Sequence, residues 1–254
     1  MALGPESRVV TWFSSGAASA VAAKIMHDLS LIHGFTHKVV RIHIDNEHED
    51  NSRFADECAS TWGFHINTIT SDEYKDCWDV WTRRRYIVGP DGAPCTLEMK
   101  KAPRWAFEKE WLPSHQAFGF TSEEKKRAER FVAQNPDVRL LVPLIDEGVD
   151  KNTCMQVLRE FGIDIPIMYR LGYRNNNCIG CVKGGMGYWN KIRVDFPDIF
   201  NRMALLERDI GATICKLSGP GRPRIYLDEL PPELGRYDPL PDIECSLVCV
   251  SADT

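Results

Sequence analysis

The stretch "TWFSSGAASAVAAKIMHDL", residues 11–29, decides the fold class of this chain. It begins inside a short apolar run rich in β-forming residues, "RVVTWF" (8–13). After a turn of serine and glycine, apolar residues recur at helical spacing from Val21 to Ile32. The pattern predicts a strand, a tight loop and a helix, in that order.

The same alternation continues along the chain, with further candidate strands separated by helical patterns. These strands are "KVVRIHID" (38–45), "HINTIT" (65–70), "HQAFGFT" (115–121) and "VRLLVPLI" (138–145). Strands that alternate with helices favour right-handed crossovers and a parallel sheet. We therefore expect a doubly wound, mostly parallel five-stranded α/β sheet over residues 1–170, and a cysteine-containing C-terminal appendage over 171–254.

Composition and charge exclude several classes of protein. The chain has 254 residues, 43% of them hydrophobic, which is enough to bury a full core. Its net charge of −5 argues against a protein that holds nucleic acid by net charge alone, although a local basic groove remains compatible with it. We find no signal peptide pattern and no apolar stretch of membrane-spanning length, so we expect a cytoplasmic protein with no membrane partner.

The first loop is a candidate phosphate-binding site. Ligands of open α/β sheets bind beyond the carboxyl ends of the strands, where a helix N-terminus offers free backbone N–H groups to an anion. The candidate residues are small or carry hydroxyl groups: Ser14, Ser15, Gly16, Ala17 and Ser19. The alternative is an ordinary turn of small residues, since the loop is neither a Walker motif nor a GxGxxG motif.

This loop resembles the "SGGxDS" phosphate loop of the adenine-nucleotide α-hydrolase-like (PP-loop) families, with Ala18 in the place of the acidic residue. The phosphoadenosine phosphosulfate (PAPS) reductase branch also lacks that acid. Residues 43–66 resemble the second strand of that branch with the turn and helix that follow it. Residues 141–181 resemble its "PL…W" segment and then its "IP…LYxxGYxSxGCxxC" segment. The resemblance implies that the loop binds an adenine nucleotide (PAPS, APS or ATP), that Asp45 contacts the nucleoside, and that Lys100 contacts the sulfate or phosphate.

The cysteines predict a metal centre. Cys178 and Cys181 have the CxxC spacing that lets two thiolates converge on one metal or cluster. The resemblance adds Cys95, because iron–sulfur adenylyl-sulfate reductases carry "CCxxxK" there; Thr96 replaces their second cysteine. These three would hold a [4Fe–4S] cluster, its fourth iron open or bound by Cys245 or Cys249.

Two alternatives to the cluster stay open. Zinc could be bound by Cys178, Cys181, Cys245 and Cys249, or the thiols could hold no metal. The remaining cysteines fall in helical or strand patterns and are predicted to be small core residues: Cys58, Cys77, Cys154 and Cys215.

Two further segments carry candidate residues. "ECSLV" (244–248) resembles the C-terminal "ECGLH" of the reductases and implies that Cys245 is the nucleophile, the alternatives being a metal ligand or an inert tail. In "VKGGMGYWNKIRVDFP" (182–197), Lys183 and Arg193 are candidate anion contacts beside three glycines. The alternative is a glycine-rich connection packed by aromatic residues.

Three functions follow as hypotheses. The first is a PAPS reductase-family enzyme that reduces or transfers the sulfur of an adenylyl sulfate, with an external thiol reductant such as thioredoxin. The second is an ATP-dependent sulfur transferase that modifies a nucleic acid; the missing acid at Ala18 counts against it, and the three cysteines favour it. The third is a nucleotide-sensing or partner-binding protein without turnover.

Overall fold

The computed structural model describes residues 3–90, 92–217, 221 and 223–237. The strands are β1 (Arg8–Trp12), β2 (Thr36–Ile42), β3 (Ile66–Ile69), β4 (His115–Ala117), β5 (Leu140–Leu141), β6 (Cys215–Lys216) and β7 (Arg224–Ile225). The helices are α1 (Ala17–His33), α2 (Asp50–Trp62), α3 (Cys77–Arg84), α4 (Pro94–Thr96), α5 (Ala102–Trp111), α6 (Lys125–Gln134), α7 (Pro143–Asp146), α8 (Lys151–Glu160), α9 (Ile167–Arg170), α10 (Met186–Asp195) and α11 (Pro197–Ile210). A π-helical turn (Leu97–Lys101) and two 3-10 turns (Ser122–Glu124 and Leu227–Glu229) complete the set.

The chain forms two compact units. Among the described residues, unit 1 comprises those up to 44, 49–72 and 99–167, and unit 2 comprises 45–48, 73–98 and those from 168 to 237. The predicted division of the chain near residue 170 stays a prediction.

Unit 1 contains the predicted sheet. Its five strands are ordered β3-β2-β1-β4-β5, and every neighbouring pair is parallel. The predicted fold class is therefore confirmed. β5 is the shortest strand, because Pro143 begins α7 directly after Val142 and proline has no N–H to donate to a strand ladder.

Helices cover both faces of this sheet. Val9 packs with Met26 of α1 on one face, whereas Val10 and Trp12 pack with Trp111 of α5 on the other. Successive residues of a strand point to opposite faces, so the apolar run of β1 supplies both cores. This arrangement is the doubly wound one that the sequence predicts.

Unit 2 is built around α10 and α11. The side-chain amide of Asn190 in α10 donates to the carbonyls of Pro231 (2.9 Å) and Leu234 (2.7 Å). The guanidinium of Arg193 donates to the carbonyls of Leu227 (3.2 Å) and Leu230 (2.6 Å). These bonds hold the segment 227–234 along α10. Over the described residues, no helix combines the length and apolar character needed to cross a membrane.

Candidate functional sites

The loop between β1 and α1 is closed by the hydroxyl group of Ser19. That hydroxyl accepts a hydrogen bond from the backbone N–H of Ser14 (3.0 Å) and donates one to the carbonyl of Gly16 (2.9 Å). The hydroxyl of Ser14 donates to it as well (3.1 Å). Ser15 has a φ of 56° and is buried, so the chain makes a sharp turn before the helix begins.

Gly16 is the N-cap residue of α1, with φ −101° and ψ 156°. Its extended backbone lets the first N–H groups of α1 point away from the helix, as anion-binding helix N-termini require. No acidic residue stands in the first turn of α1. The predicted phosphate loop is therefore placed where the fold offers backbone donors.

The segment that follows β4 packs closely against the start of α1. A Cβ atom on Gly119, two residues after β4, would lie 2.6 Å from the backbone nitrogen of Ser19 and 2.7 Å from the carbonyl carbon of Ala18. Only glycine permits so close an approach of two backbones. The loops after β1 and β4 flank the point where the strand order reverses, which is the usual ligand position of such sheets.

In unit 2, Asn46 joins two cysteine-bearing segments. Its side-chain oxygen accepts a hydrogen bond from the backbone N–H of Cys77 (2.7 Å), the first residue of α3. Its carbonyl accepts one from the N–H of Ile179 (2.8 Å), between Cys178 and Cys181. One residue therefore fixes the start of α3 relative to the CxxC loop.

Three thiols meet at this place. The Cys77 thiol forms hydrogen bonds with the thiols of Cys178 and Cys95, and these bonds together with burial raise its pKa above the usual range. Cys77 is buried, whereas Cys95, Cys178 and Cys181 are partly exposed. The structure thus brings together two of the three predicted ligands, Cys95 and Cys178.

Cys77 is a candidate that the sequence analysis missed, because its helical pattern with Trp78 and Trp81 resembles that of a core residue. The signal that could have found it is Asp76. This side chain accepts a hydrogen bond from the N–H of Asp79 (2.7 Å) and so places Cys77 at the start of a helix rather than in its middle. The other three cysteines predicted as core residues, Cys58, Cys154 and Cys215, are buried as expected.

The CxxC loop is also held by a tyrosine. The hydroxyl of Tyr188 accepts from the N–H of Cys181 (3.0 Å) and donates to the carbonyl of Cys178 (3.3 Å). Among the described residues, no three His, Cys, Asp or Glu side chains already stand in a metal-binding arrangement. Cys95 and Cys178 nevertheless each contact the Cys77 thiol.

A cavity of about 420 Å³ lies beside the CxxC loop within unit 2. Its lining includes the thiol-bearing Cys181, four glycines and the basic residues Arg174, Lys183 and Arg236. Tyr188 and Tyr237 supply aromatic surface, with ring centroids 6.0 Å apart. No carboxylate belongs to the described lining of this cavity.

The remaining predicted site residues take different positions. Lys100 is exposed in the π-helical turn, and Asp45 is exposed in unit 2. Arg193, a predicted anion contact, directs its guanidinium at two backbone carbonyls. Cys245 and Cys249 lie outside the described residues.

Comparisons with known proteins found similar structures but no similar sequences: no family model and no curated protein matches this chain. A PAPS reductase is among the structures. That protein, from Candida auris in a phosphate complex, has a TM-score of 0.48 and 10% identity, over 67% of this chain and 81% of its own.

Two further structures are also similar. The U34-tRNA thiolase NcsA from Methanococcus maripaludis, solved with its [4Fe–4S] cluster, has a TM-score of 0.43 and 12% identity, over 82% of this chain and 67% of its own. A predicted subunit of tRNA methyltransferase from Methanocaldococcus jannaschii has a TM-score of 0.39 and 19% identity, over 61% and 75%. Identities this low concern the fold alone.

Proposed function

We propose that this chain is an iron–sulfur enzyme that reduces or transfers the sulfur of an adenylyl sulfate, PAPS or APS. The observation that carries the proposal is the meeting of the Cys77, Cys95 and Cys178 thiols in unit 2. Thiolates are soft ligands that select iron–sulfur clusters or zinc over hard cations such as Mg²⁺.

The cysteine set fits a cluster better with Cys77 than without it. Thr96 stands where the reductases carry a second cysteine, and Cys77 brings a thiol to Cys95 from another element. Cys77, Cys95, Cys178 and Cys181 would hold the cluster, which supplies iron with an affinity for sulfur when bound. The same thiols suit a single zinc ion, which binds all its ligands at one centre.

Nucleotide binding belongs to unit 1 in this proposal. The N–H groups at the start of α1 and the hydroxyl of Ser14 would contact the phosphate or sulfate group. Ser15 and Ala17 shape the turn around Gly16, and Ser19 keeps it closed. Lys100, which also belongs to unit 1, would contact the anionic end of the substrate. The roles of Asp45 and Lys183, which belong to unit 2, stay predictions from the sequence.

The sulfur chemistry is assigned to Cys245. Its thiolate would attack the sulfate sulfur, forming an S–S bond while the S–O bond to the phosphate breaks and the nucleotide leaves with the electron pair. A dithiol reductant of the thioredoxin type would then attack the Cys245 sulfur and release sulfite. Its second thiol would resolve the mixed disulfide, which restores Cys245 and leaves the reductant oxidised.

The test begins with protein purified without oxygen and analysed for iron, sulfide and zinc. We expect a broad visible absorption that is lost, or iron per chain that falls, in Cys77→Ala, Cys95→Ala and Cys178→Ala. Cys215→Ala is the matched control, since Cys215 is also buried in unit 2. Iron content unchanged in Cys77→Ala would remove this residue from the site, and protein without iron would remove the cluster.

Activity is measured separately, as sulfite released from PAPS or APS with a dithiol donor. Cys245→Ser should abolish release and keep the absorption, which separates a nucleophile from a ligand. Absence of release in the metal-loaded wild type would contradict the reductase reaction. Nucleotide binding without any product would then favour a sensing or partner-binding protein.

A second candidate is an ATP-dependent sulfur transferase that modifies a nucleic acid. The observation in its favour is that Cys181 lines a cavity together with three basic residues. Thiolated nucleosides in digested RNA, formed only with ATP present, would establish this reaction over sulfite release.

A further inference from the structure

A second cavity adjoins the first one in unit 2. Its volume is about 560 Å³, and it shares Lys183 and Gly184 with the cavity beside the CxxC loop. Lys216 of β6 and Arg224 of β7 also line it. As in the first cavity, no carboxylate belongs to its described lining.

Together the two cavities place five basic residues along one continuous lining: Arg174, Arg236, Lys183, Lys216 and Arg224. The local charge of this lining is thus opposite to the net charge of the chain, which is −5. Several cations in a described lining that includes no carboxylate fit a ligand with several successive negative charges, such as a phosphodiester backbone.

The first cavity also offers a surface for a base. Tyr237 is half-buried, and its hydroxyl accepts a hydrogen bond from the N–H of Arg174 (3.0 Å). The guanidinium of Arg174 lies 5.8 Å from the centre of the Tyr237 ring. Tyrosine rings and arginine planes are the groups on which unpaired bases stack.

The wall that carries these residues is rigidly built. A Cβ atom on Gly187, in the first turn of α10, would lie 2.5 Å from the carbonyl carbon of Arg236, and one on Gly235 would lie 2.3 Å from the nitrogen of Gly187. The backbone at the start of α10 is therefore in close contact with the backbone of residues 235–236. Asn190 fastens the preceding segment to α10, so Arg236 and Tyr237 are held in position without a ligand.

We propose that the two adjoining cavities form a binding track for a single-stranded nucleic acid. Phosphates lie along the five basic side chains, and a base stacks on Tyr237. Cys181 lines the same cavity as this tyrosine. Binding of the strand needs no turnover, so the binding track does not depend on either proposed reaction. Only the chemical modification of the bound strand rests on the second candidate function.

Binding is measured by fluorescence anisotropy with a labelled oligouridylate of about 12 nucleotides, a length within the range of single-strand binding sites. Lys183→Gln, at the junction of the cavities, and Lys216→Gln and Arg236→Gln, one in each cavity, should each weaken binding about 5- to 10-fold. Each should also reduce the slope of log K against log salt by about 0.7. Lys126→Gln, an exposed lysine of α6 that lines neither cavity, is the matched control.

Stacking is tested by Tyr237→Leu, which should weaken binding by about 10-fold, whereas Tyr237→Phe keeps the ring and should bind almost as well. Thermal unfolding of both variants identifies any loss that comes from the fold. If Tyr237→Leu and Tyr237→Phe bind equally, no base stacks there and the proposal is wrong in that part.

Competition experiments distinguish binding of a phosphodiester chain from binding of a single phosphate group. Uridine monophosphate and inorganic phosphate should displace the oligonucleotide only weakly. A mononucleotide that binds as tightly as the oligonucleotide, or a Lys216→Gln variant equal to wild type, would overturn the track. Gly16→Val should bind the oligonucleotide normally, so a failure of the proposed nucleotide loop remains distinct from a failure of the track.

Discussion

Gly16 shows how one residue position links the loop sequence to its proposed chemistry. Its φ of −101° is accessible to any residue, so the fold itself does not require glycine there. What glycine provides is an open approach to the first N–H groups of α1. A side chain at this position is therefore expected to obstruct a ligand more than to disturb the backbone.

We predict that Gly16→Val weakens adenine-nucleotide binding by at least about 10-fold, because the branched side chain fills the space that a phosphate would occupy. Titration calorimetry with PAPS, APS and ATP measures the effect, and thermal unfolding should show little change. Equal affinity in wild type and variant would place the nucleotide elsewhere.

At the scale of elements, periodicity predicted the sheet and missed the ends of its strands. All five strands overlap the predicted runs, because strands that are covered by helices on both faces are continuously apolar, as β1 is. "VRLLVPLI" predicted eight strand residues, yet only Leu140 and Leu141 pair with β4. Pro143 ends the strand and also begins helix α7. A run of apolar residues does not show that a helix replaces the strand at this point.

The cysteine site could be predicted only in part, because one of its residues reaches the site through tertiary structure. CxxC is a local signal, and the resemblance supplied Cys95. Cys77 joins them through the position of α3, which Asp76 caps and Asn46 fixes. A contact between residues so far apart in sequence depends on tertiary structure, and a single sequence contains no spacing rule for it.

The contact between the β4 loop and α1 makes a prediction about elements. In Gly119→Ala the added methyl group meets the backbone of Ala18 and Ser19, which cannot move aside as a flexible side chain would. We expect the free energy of unfolding to fall by about 1–3 kcal/mol, measured by urea denaturation. Gly185→Ala is the control, since a Cβ there meets no atom within 4 Å, and a similar loss in both variants would contradict the steric cause.

At the scale of the whole molecule, unit 2 collects its functional candidates from three separate segments of the chain. Residues 45–48 leave the end of β2 and carry Asn46, residues 73–98 follow β3 and carry Cys77 and Cys95, and the chain from 168 carries the CxxC loop. Stretches of chain that are far apart in sequence therefore contribute to one compact unit.

The local stabilities of the two units are also expected to change with pH in opposite directions, because each unit contains a buried group with a shifted pKa. In unit 1, burial and the neighbouring His27 lower the pKa of His37 to about 4, and its ring is hydrogen-bonded to Thr11 (2.8 Å). In unit 2, burial raises the pKa of Glu207 to about 7, although its carboxylate accepts from the N–H groups of Ile214 (2.5 Å) and Leu227 (2.6 Å).

These shifts predict opposite changes in local stability. The unfolded chain protonates His37 near its ordinary pKa of about 6.5, so unit 1 loses stability as the pH falls from about 6.5 to about 4. The folded state holds the Glu207 proton more tightly than the unfolded chain, so unit 2 loses stability as the pH rises from about 4.5 to about 7. Hydrogen exchange, corrected for intrinsic rates, should show protection in unit 1 rising and protection in unit 2 falling over this range. His37→Gln should flatten the first change and Glu207→Gln the second, and parallel changes in both units of the wild type would contradict the assignment.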